Sequence, residues 1–404
     1  MPQTDTTITQ TVQSVEQLGD LVRDCADRHA ALIDYGIGHA GLGYPPSRDG
    51  VQLRLEGGVI EHYQRDFAVR VAAGCTVRAL HEKLREQGQF LALDADPDMT
   101  IGEVIAHNVY GPLRQAYGGP RDQLLGLHYT DARGQDVHVG GRTVKNVAGY
   151  DVTRLMVGSL GELGVINEAT LRTYAVPEHV TVVDLHVEQP DELDRLMTTW
   201  LLADAAPTWM SLTNQVGEAR RSCDNWRLSV GYYGRAATCL AQFRSLQTLL
   251  EQAHDIHFVG TGDTTLDADL RERTARRSWR AQASAVVKII VPPAATGALC
   301  QALCRAAPAH PHLIVDALPT HGCVFVGGMM GVDDAVSLDE RLNRIIHAFD
   351  GQRVWYARPD NTSRIVPFAP AQRDWPLLRR LKRAMDPDNL FNPGRFLSSE
   401  ACAS

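Results

Sequence analysis

The sequence predicts an α+β chain in two unlike parts, followed by a short closing segment. Three observations predict this. Of 34 glycines, 22 fall in residues 1–175 and 12 in the remaining 229. Glycine is the default where backbone takes φ > 0 or approaches another group closely, so the first part reads as a set of loops wrapped around something. From about residue 178 the elements run β-α-β-β-α-β, and the same order then recurs, which gives two ferredoxin-like split βαβ units. Finally, residues 374–404 hold one helix and then a turn-rich run from Asp386 to Arg395. The divisions fall at 1–176, 177–370 and 371–404.

The bulk numbers are compatible with this division. A chain of 404 residues predicts two or three domains. Hydrophobic residues at 44% and charged residues at 22% are those of an ordinary globular protein. Forty basic residues against 48 acidic leave a net charge of −8 with no Lys/Arg block, which argues against a nucleic-acid partner. No run of about 18 uncharged apolar residues predicts a membrane span. Met1 to Gln13 is polar, without a basic or apolar region, and does not read as a signal peptide. The eight cysteines are scattered, with Cys300 and Cys304 the one close pair and no CxxC. Zinc, iron–sulfur and disulfide chemistry are therefore not expected, no metal is expected, and a reducing cytoplasm fits.

In chain order, Ser14–Arg28 reads as a helix with Ser14 and Gln17 as a capping box and Val15, Leu18, Leu21, Val22 and Cys25 on one face. A strand at Ala30–Asp34 precedes a glycine loop, and short strands follow at Val51–Leu55 and Phe67–Val71. Thr76–Gln87 is helical and stops at Gly88. Residues 95–165 read as loop-rich, with short helices at Ile101–Asn108 and Val152–Met156. The first split unit comprises Val180–Val187, Asp191–Ala203, Thr208–Thr213, Trp226–Tyr233, Ala236–His254 and Ile256–Val259. The second comprises Ala285–Val291, Ala294–Ala306, Leu313–Leu318, Cys323–Gly327, Asp334–Phe349 and Arg353–Ala357. Between them, Leu266–Arg280 reads as one helix with Arg271, Arg273, Arg276, Arg277, Arg280 and Trp279. Its plain reading is a solvated face; the sharper one is a patch that meets a carboxylate or an acidic partner.

Gly36, Gly38 and Gly41 match GxGxxG after a strand, but Pro45 and Pro46 exclude the helix a Rossmann site requires. A phosphate nest and a plain tight turn both remain open for this loop. Asp96 to Gly102 leads into a short helix, with Thr100 and Glu103 as a capping box and N–H groups expected to point out toward an anion. Then come Asn108, the run Gly140 to Asp151, and Gly158, Ser159, Gly161 and Gly164, small enough for backbone to lie against a flat ring.

At these residues the chain resembles the FAD-binding domain of the vanillyl-alcohol oxidase-type flavoproteins. Lys145 to Asp151 with Gly158 to Val165 is similar to the FAD-binding subunits of glycolate oxidase, and Met385 to Arg395 is similar to that group's C-terminal signature. The resemblance implies a two-subdomain FAD-binding domain, a cap over the flavin, and a tail that returns to the FAD domain. It implies a pyrophosphate loop at Gly36, Ile37, Gly38, His39 and Gly41. Pro97, Thr100, Ile101 and Gly102 would supply the second phosphate contact. Asn108, Lys145, Asn146, Gly149, Tyr150, Asp151, Gly158 and Gly161 would stand near the cofactor. Val165 or Ile166 would offer backbone to adenine, and Asn392 would approach the isoalloxazine. Other branches attach FAD covalently to a histidine beside the loop, which makes His39 a candidate for attachment.

Two departures matter. Asp34 to His39 lacks the Arg and Ser that family loops often carry. In the cap, Pro319 to Gly328 keeps His321 and Gly322 of a metal-binding motif but lacks its second His and its acidic residue. The function implied is an FAD subunit that oxidises glycolate to glyoxylate by hydride transfer to flavin N5. A sister FAD subunit and an iron–sulfur subunit would carry electrons onward, and the chain could lie peripherally at the inner membrane through them. The alternatives are a structural or electron-relay flavin subunit and a stand-alone oxidase of another alcohol. No catalytic residue is assigned; His39, Tyr150 and His321 are candidate bases.

Overall fold

Alternation and capping shape the first of two compact units in the computed structural model. The residues described are 9–33, 42–44, 46–141, 151–202, 206–216, 220–221, 225–251, 253, 255–305, 313–359, 364–370 and 374–396. This unit comprises Met1–Tyr110, Tyr117–Val176 and Ala371–Ser404. Its three-stranded parallel sheet runs Thr9–Val12, Gly50–Leu55, Ala31–Ile33. Helix Val15–Asp27 buries Leu18, Leu21, Val22 and Cys25 beside it, capped by the Ser14 hydroxyl on the Gln17 N–H. The Gln17 side chain completes the cap on Gln13 rather than on Ser14.

An antiparallel five-stranded sheet stands in the same unit, in the order Val59–Tyr63, Ala68–Ala72, Val165–Arg172, Leu124–Thr130, Asp136–Gly140. Its core gathers Val69, Val71, Leu80, Leu84, Ile101, Ile105, Leu127 and Leu171, with Leu381 and Met385 of helix Trp375–Met385 packed against it. The reading of 95–165 as mostly loop is corrected here. Leu124–Thr130 and Asp136–Gly140 are strands whose alternating polar residues, such as His128 and His138, disguise them.

The second unit comprises Gly111–Ala116 and Pro177–Pro370. Gly111–Ala116 therefore leaves the first unit, and the Gln115 amide donates to the Pro207 carbonyl at 2.6 Å. Nine antiparallel strands make one sheet, ordered Ile256–Thr264, His179–Val187, Trp226–Gly234, Trp209–Thr213, Ile314–Leu318, Cys323–Gly328, Ala285–Ile290, Gln352–Ala357, Phe368–Ala369. The two β-α-β-β-α-β runs meet where Leu212 and Thr213 pair with Ala317 and Asp316. Helices Pro190–Leu202, Ala236–Leu250, Thr296–Arg305 and Val332–Ala348 cover one face, burying Val183, Leu185, Met210, Leu212, Leu228, Val230, Val287, Val315 and Val326.

The alternate residues of those strands, Asp184, Ser211, Thr213, Arg227, Ser229 and Asp316, fall on the opposite face by the two-residue period. The single helix expected over 266–280 is two, Leu266–Arg277 and Trp279–Gln282. Its arginines are not one solvated face: Arg271 is exposed, but Arg273 is 3% exposed and Arg276 and Arg280 are mostly covered. A hydrophobic period cannot reveal this, because the stripe turned toward the sheet is itself polar. No helix among the described residues is long and apolar enough to cross a membrane.

Candidate functional site

In the first unit, the closing segment adds itself to the strand that precedes the glycine loop. Leu32 N–H donates to the Leu390 carbonyl at 2.9 Å and Asn392 N–H to the Leu32 carbonyl at 3.0 Å. Beyond the loop, Tyr44 N–H donates to the Arg395 carbonyl at 2.7 Å and Ser47 N–H to the Pro393 carbonyl at 2.8 Å. The same segment thus holds residues on both sides of the loop in sequence. Gly43 stands at φ +82 with no room for a side chain, since a Cβ would lie 2.4 Å from the Arg395 oxygen.

The turn itself is organised by Asp386, whose buried carboxylate accepts the N–H groups of Leu390 and Phe391, both at 2.8 Å. Lys382 bonds that carboxylate at 2.6 Å, and also the carbonyls of Glu162 at 2.6 Å and Phe391 at 2.8 Å. Glu162 in turn accepts the Phe396 N–H. Burial pushes the Glu162 carboxyl up, against the Lys382 charge and the N–H groups of Phe396 and Arg395, which pull it down. Sequence reasoning passed over Glu162, Lys382 and Asp386 as site residues. A charged residue inside a glycine run, and one immediately before a turn-rich run, were the available signals.

Asn392 sits at φ +38, 1% exposed, and its amide donates to the Leu160 carbonyl at 2.7 Å. Gly161 faces it at φ +71, where a Cβ would come within 2.6 Å of the Asn392 nitrogen. Gly158 N–H and Leu160 N–H cap the carbonyls of Ile105 and Ala106, which brings Asn108, itself at φ +50, beside Gly158. Asn108 thus lies beside Gly158, and Asn392 against Gly161. Ser159, between the two glycines, has a buried hydroxyl with no hydrogen-bond partner among the described residues. An orphaned donor between close-packed glycines suits a polar edge of a flat cofactor.

The helix at Ile101–Ala106 carries a correction. Its capping box is formed, with Thr100 N–H on Glu103 Oε2 and Glu103 N–H on Thr100 Oγ1. However, Ile101 N–H donates to the Cys75 carbonyl at 2.9 Å and Gly102 N–H to the Ala73 carbonyl at 2.8 Å. The first-turn donors expected to point toward an anion are taken by the chain, and Gly102 is small because Ala73 lies against it. Pro97 is likewise engaged, its carbonyl accepting the Arg78 N–H.

Asp151 caps helix Val152–Met156, and its carboxyl is held below the usual range by the Thr153 hydroxyl, then by the Arg154 N–H. Val165 and Ile166 are buried at the start of Val165–Arg172. The neighbouring strand, Ala68–Ala72, ends opposite Glu168, so on that side they extend past it. Gly36, Ile37, Gly38, His39, Gly41, Lys145, Asn146, Gly149 and Tyr150 lie outside the described residues.

The second unit holds a cavity of ≈ 590 Å³ between its polar sheet face and the arginine helices, lined among others by Trp209, Ser211, Arg227, Arg276, Arg277 and Trp279. Its arginines bring carboxylates with them. Arg273 pairs with Asp269 at 3.0 Å, Arg276 with Glu272, and Arg280 with Asp316. Arg280 also lies 3.6 Å over the Phe325 ring. The indole nitrogen of Trp279 and Nε of Arg280 are buried donors without hydrogen-bond partners among the described residues.

His321, the described member of the three candidate bases, ends the short turn Pro319–His321. Its Nδ1 lies 2.8 Å from Thr320 Oγ1. Burial, then the Arg114 charge, pushes the imidazole down to about 4. It is neutral at neutral pH, as a proton acceptor must be, but weakly basic there. The native chain refuses a proton that the unfolded chain takes at about 6.5. Stability from this group is complete above pH 6.5 and is lost as pH falls from 6.5 to 4. Urea unfolding at pH 7.0 and pH 4.5 should show the parent chain losing about 1–2 kcal/mol more than His321→Asn, a figure reduced for partial solvent screening.

Residues 7–153 match the FAD binding domain family, and residues 367–396 match the C-terminal domain of FAD linked oxidases. The chain is 34% identical over 172 residues to a probable mitochondrial D-lactate dehydrogenase of Danio rerio, covering 41% of this chain and 35% of that protein. It is 30% identical over 155 residues to the glycolate oxidase subunit GlcE of Escherichia coli (strain K12), covering 38% of this chain and 44% of that subunit. It is 26% identical over 208 residues to the glycolate oxidase subunit GlcD of Bacillus subtilis (strain 168), covering 50% and 44%. The chain thus spans less than half the length of these curated relatives. Among solved structures, an alkyldihydroxyacetonephosphate synthase matches with a TM-score of 0.70 at 16% identity, over 95% of this chain and 76% of that one. That likeness speaks to fold alone.

Proposed function

We propose, from the match of residues 7–153 to the FAD binding domain family and of residues 367–396 to the C-terminal domain of FAD linked oxidases, that the chain is a vanillyl-alcohol oxidase-type flavoprotein and the FAD-binding subunit of a 2-hydroxy-acid oxidase or dehydrogenase complex. Glycolate is the proposed substrate, and a sister flavoprotein and an iron–sulfur subunit are the proposed partners. Residues 1–176 with 371–404 would form the FAD domain, and 177–370 a cap of two ferredoxin-like split βαβ units. The observation that carries the reading is the closing segment bound to Leu32, Tyr44 and Leu160 at once, which brings Asn392 to Gly161 beside the orphaned Ser159 hydroxyl.

FAD, when bound, supplies the two-electron acceptor for oxidation of a CH–OH donor. The chain's own residues bind and orient. Gly36 to Gly41 would take the pyrophosphate, Ser159 would donate to the cofactor, and Gly158 and Gly161 would keep the approach open. Val165 or Ile166 would present backbone to adenine, and Asn392 would stand at the flavin side. Thr100, Ile101 and Gly102 would serve by shaping the wall rather than by donating N–H groups. The cavity of the second unit would receive an anionic carboxylate through its arginines.

The pairing of Arg273, Arg276 and Arg280 with Asp269, Glu272 and Asp316 favours a second reading, a flavin subunit whose sister protein binds substrate. Anaerobic addition of glycolate or D-lactate to the FAD-loaded chain separates the two. Bleaching of the flavin in the chain alone supports catalysis by this subunit. Bleaching only after the partner subunits are added supports the second reading, and no bleaching with either acid in the complete complex would overturn both.

A further inference from the structure

We propose that His128, Asp136 and His138, with the Glu168 carboxylate closing the fourth side, form a divalent-metal site of the zinc class on the five-stranded sheet. The register places them together. His128 on Leu124–Thr130 lies directly opposite His138 on Asp136–Gly140, and on its other side opposite Glu168 on Val165–Arg172. Asp136 is two residues from His138 and so shares its face. One face of three adjacent strands therefore presents two imidazoles and two carboxylates.

The local geometry is that of ligands gathered around a common point. The ligand atoms of His128, Asp136 and His138 all lie within 4.8 Å of one another. His128 Nδ1 is 3.7 Å from Asp136 Oδ2 and 3.7 Å from Glu168 Oε2, too long for hydrogen bonds. Ligands at the usual zinc distances in a tetrahedron lie about 3.3–3.4 Å apart, so these two separations need to close by only a few tenths of an ångström, while Glu168, outside the mutually close trio, has to swing toward Asp136 and His138. The His138–Asp136 contact, 2.6 Å, has to open instead.

The two imidazole rings stack at 3.6 Å between centroids with 26° between their planes, and they must splay for one nitrogen of each to reach a common ion. Two further observations favour a cation. Glu168 Oε2 is a buried oxygen without a hydrogen-bond partner among the described residues, with the Arg70 guanidinium 3.8 Å away. Asp136 Oδ1 accepts from Asn167 Nδ2 at 2.9 Å, and Asn167 is fixed by Thr130, an outer shell that orients the carboxylate.

Asp136–Gly140 is the edge strand of this sheet. A metal across three strands would staple that edge, an alternative to the charged or covered edges that proteins commonly use. The test uses the full FAD-loaded chain, freed of metal by a chelator and titrated with zinc by calorimetry. One equivalent should bind, with thermal unfolding shifted upward. The double substitution His128→Ala and His138→Ala should weaken binding by at least about 100-fold and abolish the shift. Its metal-free unfolding temperature, matching that of the parent chain, would show that it folds. Absence of zinc binding by the parent chain, or equal binding by the double variant, would overturn the site.

Discussion

Asp386→Ala is expected to destabilise the first unit by about 3–5 kcal/mol and to lower its FAD content. The carboxylate is fully buried and serves three donors, the N–H groups of Leu390 and Phe391 and the Lys382 ammonium. Removing it leaves two amides without their acceptor and a largely buried cation without its counter-charge, and each such loss costs the desolvation of the group. The damage should reach the cofactor, because the turn that Asp386 shapes holds Leu32 and places Asn392 against Leu160. Asp386→Asn keeps one acceptor oxygen and should fall between the parent and the alanine variant. Denaturant unfolding and the ratio of flavin to protein after gel filtration check both parts. A stable Asp386→Ala chain that retains FAD would contradict the role given to the closing segment.

Gly322→Ala should cost about 3 kcal/mol or more, from two causes that add. Gly322 stands at φ +61, left-handed backbone that an L side chain adopts at a cost. A Cβ there would also lie 1.8 Å from the Val291 carbonyl oxygen, which belongs to backbone and cannot rotate away. Val291 N–H donates to the Gly322 carbonyl at 2.8 Å, so relief of the clash must part the end of two paired strands. His321 immediately precedes this residue, and its burial should decrease with the same movement. Gly262→Ala, on the edge strand Ile256–Thr264 with nothing within 4 Å, is the control and should stay within about 0.5 kcal/mol. Urea unfolding of the three chains compares them directly.

Much of the second unit was legible because its signals are local. Apolar runs such as Val180–Val187 and Ala285–Val291, with helical stretches between them, mark the main elements, although the strand expected at Ile256–Val259 runs on to Thr264. The strands at Leu124–Thr130 and Asp136–Gly140 were not legible, since His128, Asp136 and His138 interrupt the apolar pattern for reasons that lie across the sheet. Arg276 and Arg280, within the expected helix Leu266–Arg280, read as solvated for the same reason. Their partners, Asp184, Ser229 and Asp316, come from distant strands. At Thr100 the capping box was read correctly, but the carbonyls of Ala73 and Cys75 that occupy the next donors could not be seen from spacing.

The sequence by itself determined the cofactor. Glycines at fixed separations and the run from Met385 to Arg395 are short-range patterns, and they carry the FAD reading without coordinates. Tertiary structure alone decided how those patterns cooperate. It seats the C-terminal turn on both sides of a loop more than 340 residues earlier, and it closes the Asn392 amide over Gly161. It also gathers two histidines and two carboxylates on three strands. The physical reason is range. Propensity, capping and turn chemistry act over a few residues, whereas ligand sets and buried ion pairs are made by packing, which brings together groups that the chain order keeps apart.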